Sequence, residues 1–195
     1  MAIRRKTNQK KVQTKAADRP TRYWILVLNP DKWVRKYYHP QAIFDVLWEK
    51  KYWGLKGTSA GAKSIQEGDV ILFYIASPYK AFGGCAIVTQ THKRFKMTPR
   101  RLFDPRYRPL PQDGIRHQPL ARFDTQVPVA LLADKLKITR ALKSNWGLAF
   151  HSAVRAIGRQ DFIEIVRAAG ELNSALSSRT DALIRKADRS VRGSR

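Results

Sequence analysis

The apolar run VILFYIA, at residues 70–76, limits the possible folds of this chain more than any other feature. It has the length of a strand and follows the turn signal Glu67-Gly68-Asp69. A second near-continuous run, at 23–29, ends at Asn29-Pro30-Asp31. Strands without polar alternation are typical of a sheet that is covered on both faces. The sequence therefore predicts two buried strands at 23–29 and 70–76.

The remaining elements predict a mixed fold. Two more strands are expected at 82–88 and 127–132, and helices at 40–51 and 161–169. Five prolines between Pro99 and Pro119 predict irregular structure up to Phe123. Strands and helices do not alternate regularly, which argues against a parallel α/β sheet. We expect an α+β fold, a curved mixed β-barrel with short helices at its corners, in which one sheet closes on itself.

The charge of the chain indicates a polyanionic partner. Lys and Arg number 38 against 15 Asp and Glu, which gives a net charge of +23. Nucleic acid is the partner that this charge favours, and association with the ribosome would produce the same charge. A membrane is disfavoured, because no apolar run approaches 18 residues.

The distribution of charge and apolar residues predicts three parts. Residues 1–20 form a disordered basic tail, 21–170 a folded domain, and 171–195 a basic helical or frayed extension. The tail contains no apolar segment of the secretory kind. Cys85 is the sole cysteine, so disulfides within the chain are excluded and a reducing cytoplasm is the expected location.

Enzyme chemistry finds little support in the sequence. No nucleophile elbow and no phosphate-loop glycine pattern is present. Cys85 lies in an apolar strand, where burial raises the pKa of a thiol and opposes its use as a nucleophile. The four histidines stand far apart without a cysteine partner, so no metal site and no cofactor are predicted; they are His39, His92, His117 and His151.

A basic block with interleaved aromatic residues follows the strand at 82–88. Basic and aromatic side chains together suit the gripping of a phosphate backbone and the stacking of bases, although such aromatics also anchor loops to a core. The residues predicted to contact the backbone are Lys93, Arg94, Lys96, Arg100 and Arg101, interleaved with Phe95, Phe103 and Tyr107. We expect this block to border the same face as the glycine-bearing loop around Lys63, which can hold an anion.

Several motifs occur in the order found in a known family. They are the segment YWILVLNPDKW, then WGL, then GDVILFY, and later a W-G pair and an R-x-I in 136–163. In this order they resemble the EVE domain, a member of the PUA-like superfamily that is related to the YTH readers of methylated RNA. The resemblance covers roughly 22–166. It implies a PUA-like barrel that binds nucleic acid.

The candidate ligand-binding residues combine this resemblance with the chemistry of base recognition. A flipped base is held by stacking and by hydrogen bonds to its edge, and a methyl group favours an aromatic wall. The resemblance implies Asn29, Trp33, Trp53 and Tyr74, which we expect to converge on one concave site. The full candidate set is Asn29, Trp33, Trp53, Gly54, Lys63, Tyr74, Ser77, Trp146 and Arg155. The alternative for Trp33, Trp53 and Trp146 is that they cap a small barrel.

The function that the sequence favours is recognition of a methylated base flipped into an aromatic pocket, in DNA or RNA. Ile75 stands where many relatives have histidine, so the ligand itself stays open. The alternative is an unspecific or ribosome-associated RNA-binding protein without a pocket. An enzyme that acts on nucleic acid is a third reading. We expect truncation of Trp53 to cost binding more than it costs the fold.

Overall fold

The computed structural model describes residues 22–30, 36, 38–55, 61–95 and 112–190. Within these residues six strands form one sheet, in the order β2-β5-β4-β3-β1-β6. The strands are β1 (Tyr23–Leu28), β2 (Tyr52–Gly54), β3 (Val70–Ile75), β4 (Ala81–Phe95), β5 (Gln112–Pro128) and β6 (Val154–Ile157). β1 and β3 pair in parallel and the other pairs are antiparallel, so the sheet is mixed.

Short helices lie at the corners of the sheet. In the described residues the α-helices are α1 (Pro40–Glu49), α2 (Lys137–Arg140), α3 (Arg159–Leu172), α4 (Ser174–Ser177) and α5 (Thr180–Arg189). Three 3-10 helices in the same part of the chain cover Ala62–Ser64, Val129–Leu131 and Lys143–Phe150. None of the helices in the described part of the chain is long and apolar enough to cross a membrane. The predicted mixed sheet with helices at its corners is confirmed.

The sheet carries a core on each face, as the two apolar runs predict. All six residues of β1 and all six of β3 are buried. Alternate residues of these strands point to opposite sides. Tyr23, Ile25 and Tyr74 pack with α3 and α5 on what we call the C-terminal face. Trp24 and Phe73 pack with α1 on what we call the α1 face.

The sheet curls into a half-barrel and does not close by strand pairing. β2 and β6 are its two edges, and within the described residues neither pairs with the other. Residues that follow β2 reach towards the opposite edge, because a Cβ built on Gly61 would lie 3.3 Å from Val154 of β6 and 3.5 Å from Trp24 of β1. Leu55, Ala62 and Val154 belong to one buried cluster. Side-chain packing, and not a ladder of hydrogen bonds, therefore links the two edges.

The predictions for the second half of the sheet were partly wrong. The strand expected at 82–88 is β4, which continues to Phe95, and β5 begins at Gln112 although irregular structure was expected up to Phe123. The strand expected at 127–132 is the end of β5 followed by a 3-10 helix. Pro119 is tolerated inside β5 because the register of the β4–β5 ladder shifts beside it, between Cys85 and Ala86.

The segment after residue 170 packs into the domain. α3 is longer than the predicted 161–169, and Leu183, Ile184 and Ala187 of α5 are buried on the C-terminal face. Gly170 permits this packing, because a Cβ there would lie 2.2 Å from the hydroxyl oxygen of Thr180. The tail at 1–20 and the last five residues of the predicted extension lie outside the described residues.

Candidate nucleic-acid interface

Trp53 lies in the short edge strand β2, at a corner of the half-barrel. Its neighbour Tyr52 is buried, Trp53 itself is 4% exposed, and Gly54 is half-buried. β2 pairs with β5, which places Gly54 opposite Gly114. Backbone pairing therefore holds Trp53 and Gly54 in place, and we call these two residues the W-G corner. The ring of Trp53 points into the α1 face.

Five aromatic rings meet on the α1 face, and we call them the Phe73 group: Phe44, Trp48, Trp53, Phe73 and His117. Phe73 is central, because the ring centroids of Trp53 and His117 lie 4.9 and 5.0 Å from its own. Trp48 and Phe44 lie 5.7 and 5.9 Å from it. Trp48 is half-buried, whereas the other members are buried. The group is therefore a packed aromatic cluster with one partly exposed side.

His117 is the polar member of this cluster. It is 2% exposed, and among the described residues the Leu47 carbonyl lies near the ring without completing a hydrogen bond of good geometry to either ring nitrogen. Burial, followed by the charge of Lys51, lowers the pKa of His117 to about 4, against a smaller effect of the Leu47 carbonyl in the opposite direction. The imidazole is therefore neutral near pH 7, with one donor and one acceptor nitrogen.

Asp69, before β3, is a structural residue of the same face. Its carboxylate accepts hydrogen bonds from the Trp24 indole at 2.7 Å and the Gln66 backbone N–H at 2.9 Å. Asp69 is 6% exposed, so its carboxylate is buried although it ends the turn signal Glu67-Gly68-Asp69. The two hydrogen bonds compensate for the burial of the carboxylate.

Tyr74 and Trp146 lie on the C-terminal face, away from Trp53. The ring of Tyr74 stacks on Phe150 at 4.2 Å, and Trp146 meets the same phenylalanine edge-on at 6.4 Å. Burial raises the pKa of Tyr74 to about 12. Arg155 pairs with Ile25 of β1 and so points to this face as well. The predicted convergence of Trp53 with Tyr74 is therefore wrong, because neighbouring residues of β3 point to opposite faces.

Asn29 and Ser77 lie together at another place. Both are exposed: Asn29 directly follows β1 and Ser77 comes two residues after β3, and the last residues of these parallel strands, Leu28 and Ile75, pair with each other. Lys63 lies near the other end of β1, because its 3-10 helix follows Gly61, which approaches Trp24. The length of β1, about 16 Å, therefore separates Lys63 from the position of Asn29 and Ser77. Trp33 lies outside the described residues.

The basic block begins beside the W-G corner. Gly114 pairs with both Gly54 of β2 and His92 of β4. Lys93 and Arg94 follow His92 in β4, so their backbones lie next to this corner at the end of the β4–β5 ribbon. Lys50, Lys51 and Arg116 are exposed around β2. The other predicted backbone contacts, Lys96, Arg100 and Arg101, lie outside the described residues.

In the described part of the chain, the thiol of Cys85 is unsuited to act as a nucleophile and no metal-binding cluster is found. Cys85 is fully buried, and burial raises the pKa of its thiol to about 12, as its apolar strand predicts. No group of three His, Cys, Asp or Glu side chains among the described residues could hold a metal ion.

Two of these structural roles were missed in the sequence. The sequence indicates no role for His117, although it lies two positions after the buried Ile115 and directly after the exposed Arg116 in β5, an alternation that points its ring inward. The surrounding prolines obscured this alternation. Asp69 was missed because its partner Trp24 lies on another strand, so no local pattern indicates their hydrogen bond.

Comparison with known proteins shows the fold. No protein-family model matches the sequence, and no curated protein matches it. Human THYN1 protein, solved with DNA that contains 5-methylcytosine, is similar in structure at 13% identity and a TM-score of 0.50, over 76% of this chain and 98% of THYN1. A protein from Agrobacterium tumefaciens matches 77% of this chain and 94% of its own at 14% identity and a TM-score of 0.48. The YTH domain-containing protein mmi1, solved with RNA, matches 85% of this chain and 90% of its own at 12% identity and a TM-score of 0.48.

Proposed function

We propose that this chain, which has the PUA-like fold of the EVE type seen in human THYN1, is a nucleic-acid-binding module that recognises a modified base. The THYN1 structure holds DNA with 5-methylcytosine, and this supports a methylated base as the ligand class. The net charge of +23 supports a polyanionic partner.

The strand register carries the proposal. Gly114 pairs with both Gly54 and His92, and the backbones of Lys93 and Arg94 follow His92 in β4, which supports an interface at this corner. Cationic side chains near an aromatic corner allow one surface to hold phosphates while a base is taken from its stack. Lys51, directly before β2, and Arg116 of β5, which pairs with Tyr52, add exposed positive charge at the same corner.

The interface that we propose is therefore the W-G corner with its basic surroundings. It consists of Trp53, Gly54, Lys50, Lys51, Lys93, Arg94 and Arg116. Lys63 extends it towards the far edge of the half-barrel. Asn29 and Ser77 lie at the other end of β1 and β3, and Tyr74, Trp146 and Arg155 belong to the C-terminal face, so we leave them out of this interface.

A binding panel tests the proposal. Short DNA and RNA oligonucleotides carrying methylated adenine, methylated cytosine, hydroxymethylated cytosine or plain bases would be titrated by fluorescence anisotropy at several salt concentrations. We expect one modified oligonucleotide to bind at least ten-fold tighter than its plain counterpart. We also expect affinity for all of them to fall steeply with salt, because phosphate contacts release counterions.

A matched pair of variants locates the interface. Lys93→Glu with Arg94→Glu should weaken binding of every oligonucleotide at least ten-fold. Arg185→Glu with Lys186→Glu makes the same change in charge on exposed residues of α5, and it should have a much smaller effect. Equal losses in both variants would contradict a localised interface. A parent protein without preference for any modified base would favour the alternative, an unspecific RNA-binding protein.

A further inference from the structure

The hydrogen-bonding capacity of the His117 ring is not satisfied within the Phe73 group. Its ring is 2% exposed, and neither nitrogen makes a hydrogen bond of good geometry in the described part of the chain, although the Leu47 carbonyl lies near the ring. Burying a polar group without a partner costs free energy, so such a group is disfavoured in a core that serves stability alone. A ligand that supplies the missing hydrogen bond would recover this cost.

The surroundings of His117 suit a flat aromatic ligand. Its ring lies 5.0 Å from Phe73 and 6.0 Å from Trp48, measured between centroids. Burial and Lys51 hold the pKa of the imidazole at about 4, so it offers one donor and one acceptor without a charge. Such a group can accept a hydrogen bond from an exocyclic amino group or donate one to a ring nitrogen.

His117 also lies close to the surface that we assign to nucleic acid. Its backbone N–H donates to the Lys51 carbonyl at 3.1 Å, and the next residues on either side, Arg116 and Gln118, are exposed. Trp48, which packs against the imidazole, is the partly exposed member of the Phe73 group. A base that reaches His117 would therefore enter beside Trp48, with Lys51, directly before β2, and Arg116 of β5 at the entrance.

We propose that His117 reads the edge of the bound base, by a hydrogen bond from or to one of its ring nitrogens, while the rings of the Phe73 group pack against the faces of the base and its methyl group. The inference rests on the proposed function and adds the residue that determines specificity. Entry of the base requires the ring of Trp48 to move, because the group is closely packed in the free protein.

Two substitutions at His117 test the inference. His117→Leu removes hydrogen bonding at similar volume, and His117→Asn keeps one donor group and one acceptor. We expect the ratio of the affinities for the modified and the plain oligonucleotide to fall at least ten-fold in His117→Leu. In this variant the affinity for the plain oligonucleotide and the salt dependence of binding should be unchanged. Its melting temperature should equal or exceed that of the parent, since an unpartnered polar group is removed. His117→Asn should keep part of the preference.

The outcomes separate the two proposals. A parent protein without preference contradicts the proposed function, and the inference fails with it. A parent with a preference that His117→Leu retains contradicts the inference alone.

If His117→Leu does not fold, an NMR titration of the parent protein tests the inference instead. The ring nitrogen resonances of His117 would be followed by NMR while the preferred oligonucleotide is added. We expect one of them to shift as a hydrogen bond forms, whereas those of the exposed His151 stay in place. Unchanged His117 resonances at saturation would overturn the inference.

Discussion

The indole nitrogen of Trp24 donates a hydrogen bond of 2.7 Å to the carboxylate of Asp69, 45 residues further along the chain. The same carboxylate accepts the Gln66 backbone N–H, and the Arg22 side chain lies 3.8 Å from it. One buried carboxylate therefore joins the start of β1 to the turn before β3. This contact fixes the parallel pair on which the sheet is built.

Asp69→Ala should lower the free energy of unfolding by about 1–3 kcal/mol, because it leaves the donors of Trp24 and Gln66 without an acceptor in a buried place. Urea denaturation followed by circular dichroism measures this change. Glu67→Ala is the control, since Glu67 is exposed in the same turn and should change stability by less than about 0.5 kcal/mol. Equal effects of the two substitutions would show that the buried hydrogen bonds contribute little.

Gly84→Ala should also destabilise the protein. A Cβ at this position would lie 2.8 Å from the Ala121 carbonyl oxygen and 2.8 Å from the Trp48 ring, so the backbone of the sheet or the tryptophan has to shift. Overpacking of this kind costs about 1–3 kcal/mol. Gly147→Ala is the matched control, because a Cβ there meets no atom within 4 Å. A stable Gly84→Ala variant would mean that Trp48 moves away easily.

Trp53→Ala should cost about 3–5 kcal/mol of stability, since the ring is 4% exposed and packs on Phe73. This burial reverses the expectation from the sequence that the substitution costs the fold less than it costs binding. Trp53→Phe, which keeps an aromatic ring, should retain most of the stability. Thermal unfolding of the three proteins measures the difference. An alanine variant as stable as the phenylalanine variant would exclude a packing role for Trp53.

The stability of the protein should fall between about pH 6.5 and about pH 4 in part because of His117. Its pKa is lowered to about 4 in the folded state, so in this range the unfolded chain binds a proton that the folded protein does not. The contribution of His117 to the free energy of unfolding is therefore fully present above pH 6.5 and is lost as the pH falls towards 4. In His117→Leu the acid loss should be shallower, as measured by urea denaturation at several pH values. Parallel curves for the two proteins would contradict the lowered pKa.

Asp188→Ala should loosen α5 from the domain. Asp188 accepts hydrogen bonds from the Tyr23 hydroxyl at 2.7 Å and from the Arg159 Nε at 2.8 Å. Burial raises the pKa of Tyr23, and Asp188 raises it further, so this hydroxyl stays protonated and able to donate. We expect amide hydrogen exchange in α5 to accelerate at least ten-fold, with little change in β3. Glu171→Ala, at an exposed acid at the end of α3, is the control and should leave exchange in α5 unchanged.

Sequence patterns within about ten residues predicted those strands and helices whose signals are local. β1 and β3 follow from continuous apolar runs, and α1 follows from Pro40 and its apolar stripe, because both signals are complete within about ten residues. β5 was predicted only in part. Its prolines suggest irregular structure, but pairing with β4 along its length, and with β2 at residues 114–116, keeps it in the sheet.

The candidate site depended on tertiary structure. Tyr74 and Phe73 are neighbours in sequence, yet Phe73 meets Trp53 at 4.9 Å and Tyr74 stacks on Phe150 of the other face at 4.2 Å. The alternation of a strand assigns its residues to two faces, but it does not say which face receives a tryptophan from a distant strand. That assignment results from the pairing of β2 with β5 and from the curl of the sheet. The sequence by itself therefore determined the buried strands and the positive charge, and only the tertiary structure decided that Trp53 and His117 share one aromatic group, because contacts between distant strands depend on register and curvature.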